Sequence, residues 1–168
     1  GDVYQAVKLY RAVIKLAPHW GDPYQQLSGI YKSRKEWKPT LYYSQQAILR
    51  NEKGLESWAN LAMAATALAK WKLANQALQK LALHIANNRH PIPIRIFTAG
   101  ISEVIWAMPI RPLCAKIISI PHPNAGRRYG EIVLYNWKSD GKRVVNARMQ
   151  DVFVEIQRLK KSYYRTFS

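Results

Sequence analysis

Acidic residues are scarce in this chain. Its 168 residues hold ten Asp and Glu against twenty-six Lys and Arg, a formal net charge of +16. Cysteine is nearly absent. The single Cys114 excludes an internal disulfide and cannot by itself supply a cysteine zinc site. Its place in an expected strand, between Leu113 and Ala115, favours a buried, inert thiol over a nucleophile. The four histidines, His19, His84, His90 and His122, stand apart from one another and from any Cys or carboxylate at metal-ligand spacing. The carboxylates are too scattered to nominate a general acid–base pair. A glycine-rich phosphate loop and a nucleophile elbow are both missing. So is any run of about 18 apolar residues that could cross a bilayer. An enzyme is therefore not expected, nor a cofactor, a metal or a membrane span.

What is abundant is apolar and basic. Hydrophobic residues make up 48% of the chain, enough to bury a core. The positive excess is divided equally between residues 1–90 and 91–168, with thirteen basic and five acidic residues in each. Charge spread in this way favours association with polyanions such as RNA, DNA, acidic proteins or anionic lipid.

Residues 1–90 read as helices. Val3, Ala6, Val7, Tyr10, Val13 and Ile14 recur at three and four across Asp2–Leu16. Gly21-Asp22-Pro23 then restarts the chain, with Asp22 as the expected N-cap and Pro23 at the first helical position. Further helices are expected over Pro23–Ser33, Lys38–Asn51, Leu55–Ala69 and Trp71–Ala86. Across them a pattern returns 34 positions later: Tyr24-x-x-Leu27-Ser28-x-x-Tyr31 becomes Trp58-x-x-Leu61-Ala62-x-x-Ala65, and Trp37 becomes Trp71. Lys35 and Ala69 occupy the turn between helices in successive copies. Pro18 is matched by Glu52.

This period, with an aromatic, a Leu and a small residue in register, resembles the tetratricopeptide repeat. The resemblance implies helix pairs stacked into a solenoid whose first helices line a concave, ligand-facing wall. On that wall Gln25, Gln26, Lys32, Asn60 and Met63 are the expected peptide contacts. The amides would pair with a peptide backbone, Lys32 with an acidic side chain, and Met63 with an apolar one. Gly29 and Met63 replace the second Asn of the carboxylate clamp seen in chaperone-binding members, so that clamp is not expected. The register also begins inside a pair, so the chain is expected to belong to something longer. A cytoplasmic location is the matching expectation.

The helical pattern stops at Asn87-Asn88-Arg89-His90-Pro91, and a domain boundary is placed near residue 90. Pro91–Phe97 carries two prolines and reads as an extended connector or edge. Strands are expected over Ser102–Met108, Cys114–Ile120, Gly130–Tyr135, Arg143–Asn146 and Val152–Ile156, with Asp140-Gly141 as a hairpin turn. Arg128–Leu134 and the later Val-Phe-x-Glu strand resemble a β extension found after such repeats in some bacterial proteins; this implies no activity.

The expected fold is therefore α+β: an α-helical solenoid of about five helices over residues 1–90, then a small antiparallel β-rich domain over 91–168. The expected role is a non-catalytic adaptor with a protein or peptide partner. The alternative is an RNA-associated component of a larger complex. Its contacts would be Arg127, Arg128, Lys138, Lys142, Arg143, Lys160 and Lys161, interleaved with Tyr129, Trp137, Tyr163 and Tyr164.

Overall fold

A computed structural model describes residues 1–82 and 89–164. It is α+β, with five helices followed by strands. The chain divides into two compact units, Gly1–His84 and Ile85–Ser168.

The helices of the first unit are α1 (Asp2–Leu16), α2 (Asp22–Ser33), α3 (Trp37–Arg50), α4 (Leu55–Ala67) and α5 (Trp71–Leu81). The part of the expected last helix beyond residue 82 lies outside the described residues. Asp22 is inside α2 rather than at its cap; Gly21 takes the cap without a side-chain bond. A carboxylate in the first turn still meets the positive end of the helix dipole. α1 buries only Val7 fully, against Leu27 and Tyr31 of α2. α4 is enclosed almost all round, and its alanines 59, 62, 64 and 65 leave room for neighbouring helices.

The 34-residue period is written into the hydrogen bonds. At the end of α2 the N–H of Lys35 donates to Lys32 C=O at 2.9 Å, and the N–H of Glu36 to Tyr31 C=O at 2.9 Å. At the end of α4 the N–H of Ala69 donates to Thr66 C=O at 3.1 Å, and that of Lys70 to Ala65 C=O at 2.8 Å. Each is a Schellman end with one residue turned left-handed, Lys35 at φ 58° and Ala69 at φ 55°. The loops repeat as well. The Tyr24 hydroxyl donates to Pro18 C=O at 3.1 Å, and the Trp58 indole N–H to Glu52 C=O at 2.8 Å. Glu52 can stand in for the proline because the contact uses only its backbone carbonyl.

The second unit is a barrel. β1 (Ile92–Thr98), β2 (Ile101–Arg111), β3 (Cys114–Ile117), β4 (Ile132–Tyr135) and β7 (Phe153–Lys160) close in that order. β5 (Lys142–Val145) and β6 (Arg148–Asp151) form a separate hairpin inserted before β7. Five strands that reverse direction at each step leave the first and last pointing the same way. The closing seam is accordingly parallel, pairing Ile94 with Phe153 and Arg95 with Val154. The expected antiparallel arrangement holds for the other four pairings.

Two local expectations are corrected. Residues 91–97 are not a connector: β1 supplies Ile92, Ile94 and Ile96 to the barrel core. Pro93 is tolerated one residue before the β7 seam begins, where no β7 ladder partner is lost. Asp140-Gly141 is not the turn of the hairpin but its base, where Asp140 N–H donates to Val152 C=O at 2.7 Å. The turn itself is Asn146-Ala147, with φ 50° and 60°; the β1–β2 turn, Ala99-Gly100, has φ 49° and 80°. Positive φ at both central residues matches the right-handed strand twist in two-residue hairpins.

Candidate functional site

The five residues expected on the inner wall of the repeats mostly join α2 to α4. Ser57 Oγ donates to Gln25 Oε1 at 3.2 Å, and Asn60 Nδ2 to Ser28 Oγ at 2.8 Å. Lys32 Nζ lies 3.6 Å from Glu56 Oε1. Together they form a polar ladder along the two helices. Asn60 is 1% exposed and Met63 0%, so neither offers surface to a ligand in this structure. Of the set, Gln26 alone is exposed. Helices that pack closely need partners for their buried polar groups, and the Gln25 and Asn60 amides meet part of that need, although Asn60 Oδ1 is buried without a partner.

A groove opens elsewhere on the same unit, among α3, α4 and α5. Its volume is about 650 Å³. The apolar lining comes from Ile48 and Leu49 of α3, Trp58 and Leu61 of α4, and Leu73 of α5. Leu49 is 77% exposed, so a partner that covered it would gain about 1.5–3 kcal/mol from its burial. Gln45, Gln46, Gln76 and Gln79 bring amides to the same surface. Gln45 and Gln79 are 34 residues apart, one period, which is the sequence signal that could have found this site. At one end Lys80 Nζ lies 3.0 Å from Glu52 Oε1 and 5.5 Å from the centre of the Trp58 ring. An apolar floor with a few amides is the usual make-up of a small binding cleft.

The barrel gathers some of the expected nucleic-acid residues and leaves others apart. A cavity of about 540 Å³ is lined by Arg127, Arg128, Arg158 and Lys161, with Glu131 and Ser162. Arg127 forks onto Glu155 through Nε and Nη2, with Nε 2.8 Å from Oε1. Glu131, 2% exposed, accepts from Arg158 Nη1 at 3.4 Å and from the Arg128 backbone N–H at 3.2 Å. Lys160 is exposed at the end of β7 but does not line the cavity. Lys142 and Arg143 are exposed on β5, away from the lining. Lys138 lies against the Trp137 ring, 4.8 Å from its centre. Arg158 and Glu131 were not foreseen, because strand register and not sequence spacing brings them together.

Cys114 is buried on β3, and burial pushes its thiol up to about 11, slightly opposed by the Arg111 charge. Its neighbour Tyr135 is pushed up to about 12, mainly by burial. At neutral pH this thiol is protonated and a poor nucleophile. Among the described residues, no three His, Cys, Asp or Glu side chains gather where a metal ion could be held. No described helix is long and apolar enough to cross a membrane. Compared with family models, curated proteins and solved structures, the chain gives no match.

Proposed function

We propose that the chain is a non-catalytic binding module whose helical unit is a tetratricopeptide-type array holding a segment of a partner protein. The observation that carries this reading is the groove among α3, α4 and α5, with exposed Leu49 beside Trp58 and glutamines from both flanking helices. The 34-residue recurrence of turns and hydrogen bonds supports the repeat assignment. The contact surface is placed on the second helices of the pairs, since the first helices spend their amides on each other.

A segment with one apolar side chain facing Leu49 and Trp58 would bury their exposed surface. Its backbone would exchange hydrogen bonds with the glutamine amides, which both donate and accept. Lys80, held by Glu52, favours an acidic residue at one end only weakly, because that exposed pair is already made.

The test is selection of peptides from a random display library on the immobilised chain. Selected peptides should bind the parent and lose binding to Leu49→Glu, which sets a charge in the groove. Peptides that bind the Leu49→Glu chain equally well would contradict the proposal.

A further inference from the structure

The barrel cavity has a charge imbalance that its own contacts do not absorb. Arg127 is matched by Glu155 and Arg158 by Glu131. Arg128 and Lys161 make no ion pair among the described residues, though both line the same space. Arg128 uses its backbone N–H, not its guanidinium, on Glu131. Two cations lining the cavity are therefore left without a carboxylate partner among the described residues.

Two aromatic rings follow these cations closely in sequence, Tyr129 after Arg128 and Tyr164 three residues after Lys161. Tyr129 and Tyr164 meet edge to face, with centroids 5.4 Å apart, and are 37% and 64% exposed. Gly130, at φ +82°, brings the chain close beneath them: a Cβ there would lie 3.6 Å from Ser162 Cβ and 3.8 Å from Tyr164 Cδ2. The segment after β7 is thus laid against the turn before β4, so the short segments that carry the cations, Arg128-Tyr129 and Lys161–Tyr164, carry the rings as well.

We propose that this cavity binds the backbone of single-stranded nucleic acid, with Arg128 and Lys161 on phosphates and a base stacked on the Tyr129–Tyr164 pair. Unpaired cations alone would suit any phosphate. Exposed rings next to them select a strand whose bases are free to stack. A duplex hides its base faces and satisfies only the cations. This site is independent of the groove on the helical unit, so either reading can fail without the other.

The experiment is fluorescence anisotropy of a labelled oligouridine of about a dozen nucleotides, titrated with the full chain over a range of salt. Removing two phosphate contacts on a single strand lowers the log–log salt slope by about 1.4, which is about 25-fold in affinity at ~0.1 M salt. The double variant Arg128→Ala/Lys161→Ala should show that loss. Lys142→Ala/Arg143→Ala removes the same charge from the exposed hairpin and should cost less than about threefold. Tyr129→Ala should weaken binding by about tenfold with the slope unchanged, and Tyr129→Phe should restore it. Circular dichroism of each variant confirms that it is folded. Equal losses in the two double variants would overturn the proposal in favour of diffuse charge. So would absence of binding at low salt, equal affinity for duplex RNA, or the same variant dependence with phosphatidylserine vesicles or polyglutamate.

Discussion

Replacing Ala69 with glycine should stabilise the helical unit, although the same change four residues earlier should damage it. Ala69 closes α4 at φ 55°, and its two Schellman hydrogen bonds hold it there. An L-residue in that conformation is strained by about 1–2 kcal/mol, which glycine avoids. Glycine in turn loses about 0.5–1 kcal/mol more backbone entropy on folding. The balance favours Ala69→Gly by about 0.5–1 kcal/mol. At Ala65 the backbone is helical and the methyl is fully buried. There Ala→Gly costs about 1 kcal/mol in helix propensity and about 0.8 in lost burial. Urea unfolding followed by far-ultraviolet circular dichroism reads the helical unit, since the five α-helices among the described residues lie within it. The Ala69→Gly midpoint should rise and the Ala65→Gly midpoint fall, with unchanged slopes. Lys35→Gly, one period earlier at φ 58°, should move with Ala69→Gly. A lower midpoint for Ala69→Gly would refute the reading of these turns as strained repeat ends.

Other outcomes follow from the barrel. Glu155→Ala should destabilise it by about 3 kcal/mol in denaturant unfolding, because the mostly buried Arg127 guanidinium loses its forked partner. Gly126→Ala should also lower the melting temperature, by more than the left-handed strain alone. Gly126 has φ +64°, and the added Cβ would sit 2.8 Å from Thr98 Cγ2. Burial favours the neutral forms of Cys114 and Tyr135, so their stabilisation is complete below the unfolded thiol value. It is lost as pH climbs toward about 11 and then about 12. Barrel stability measured against pH should therefore fall above ~9, by at most about 1.4 kcal/mol per unit for each group. Cys114→Ala should delay the onset by about one unit.

The helical half was legible in the sequence because its signals are local and repeated. The 3.6-residue spacing of apolar side chains marked α1, turn residues bounded helices after it, and the 34-residue register matches the left-handed turns at Lys35 and Ala69. The faces were harder to read. Gln25 and Asn60 have the chemistry of peptide ligands, but the same amides serve equally well between neighbouring helices, and only distance decides. In the barrel, two prolines argued against β1, yet the strand survives because Pro93 falls just outside the seam. The turn Asn146-Ala147 escaped notice because its second position lacks the expected glycine. The basic cluster was visible as composition. Its division into paired and unpaired cations was not, since Arg158 reaches Glu131 only when β7 pairs with β4.

The central proposal is that the groove of the helical unit holds a partner. Hydrogen–deuterium exchange of the chain with and without a display-selected peptide tests this directly. The account predicts that slowed exchange concentrates in α3 and α5 around Leu49 and Gln76, and disappears with Leu49→Glu. Protection confined to the barrel, or to the α2–α4 ladder, would contradict it.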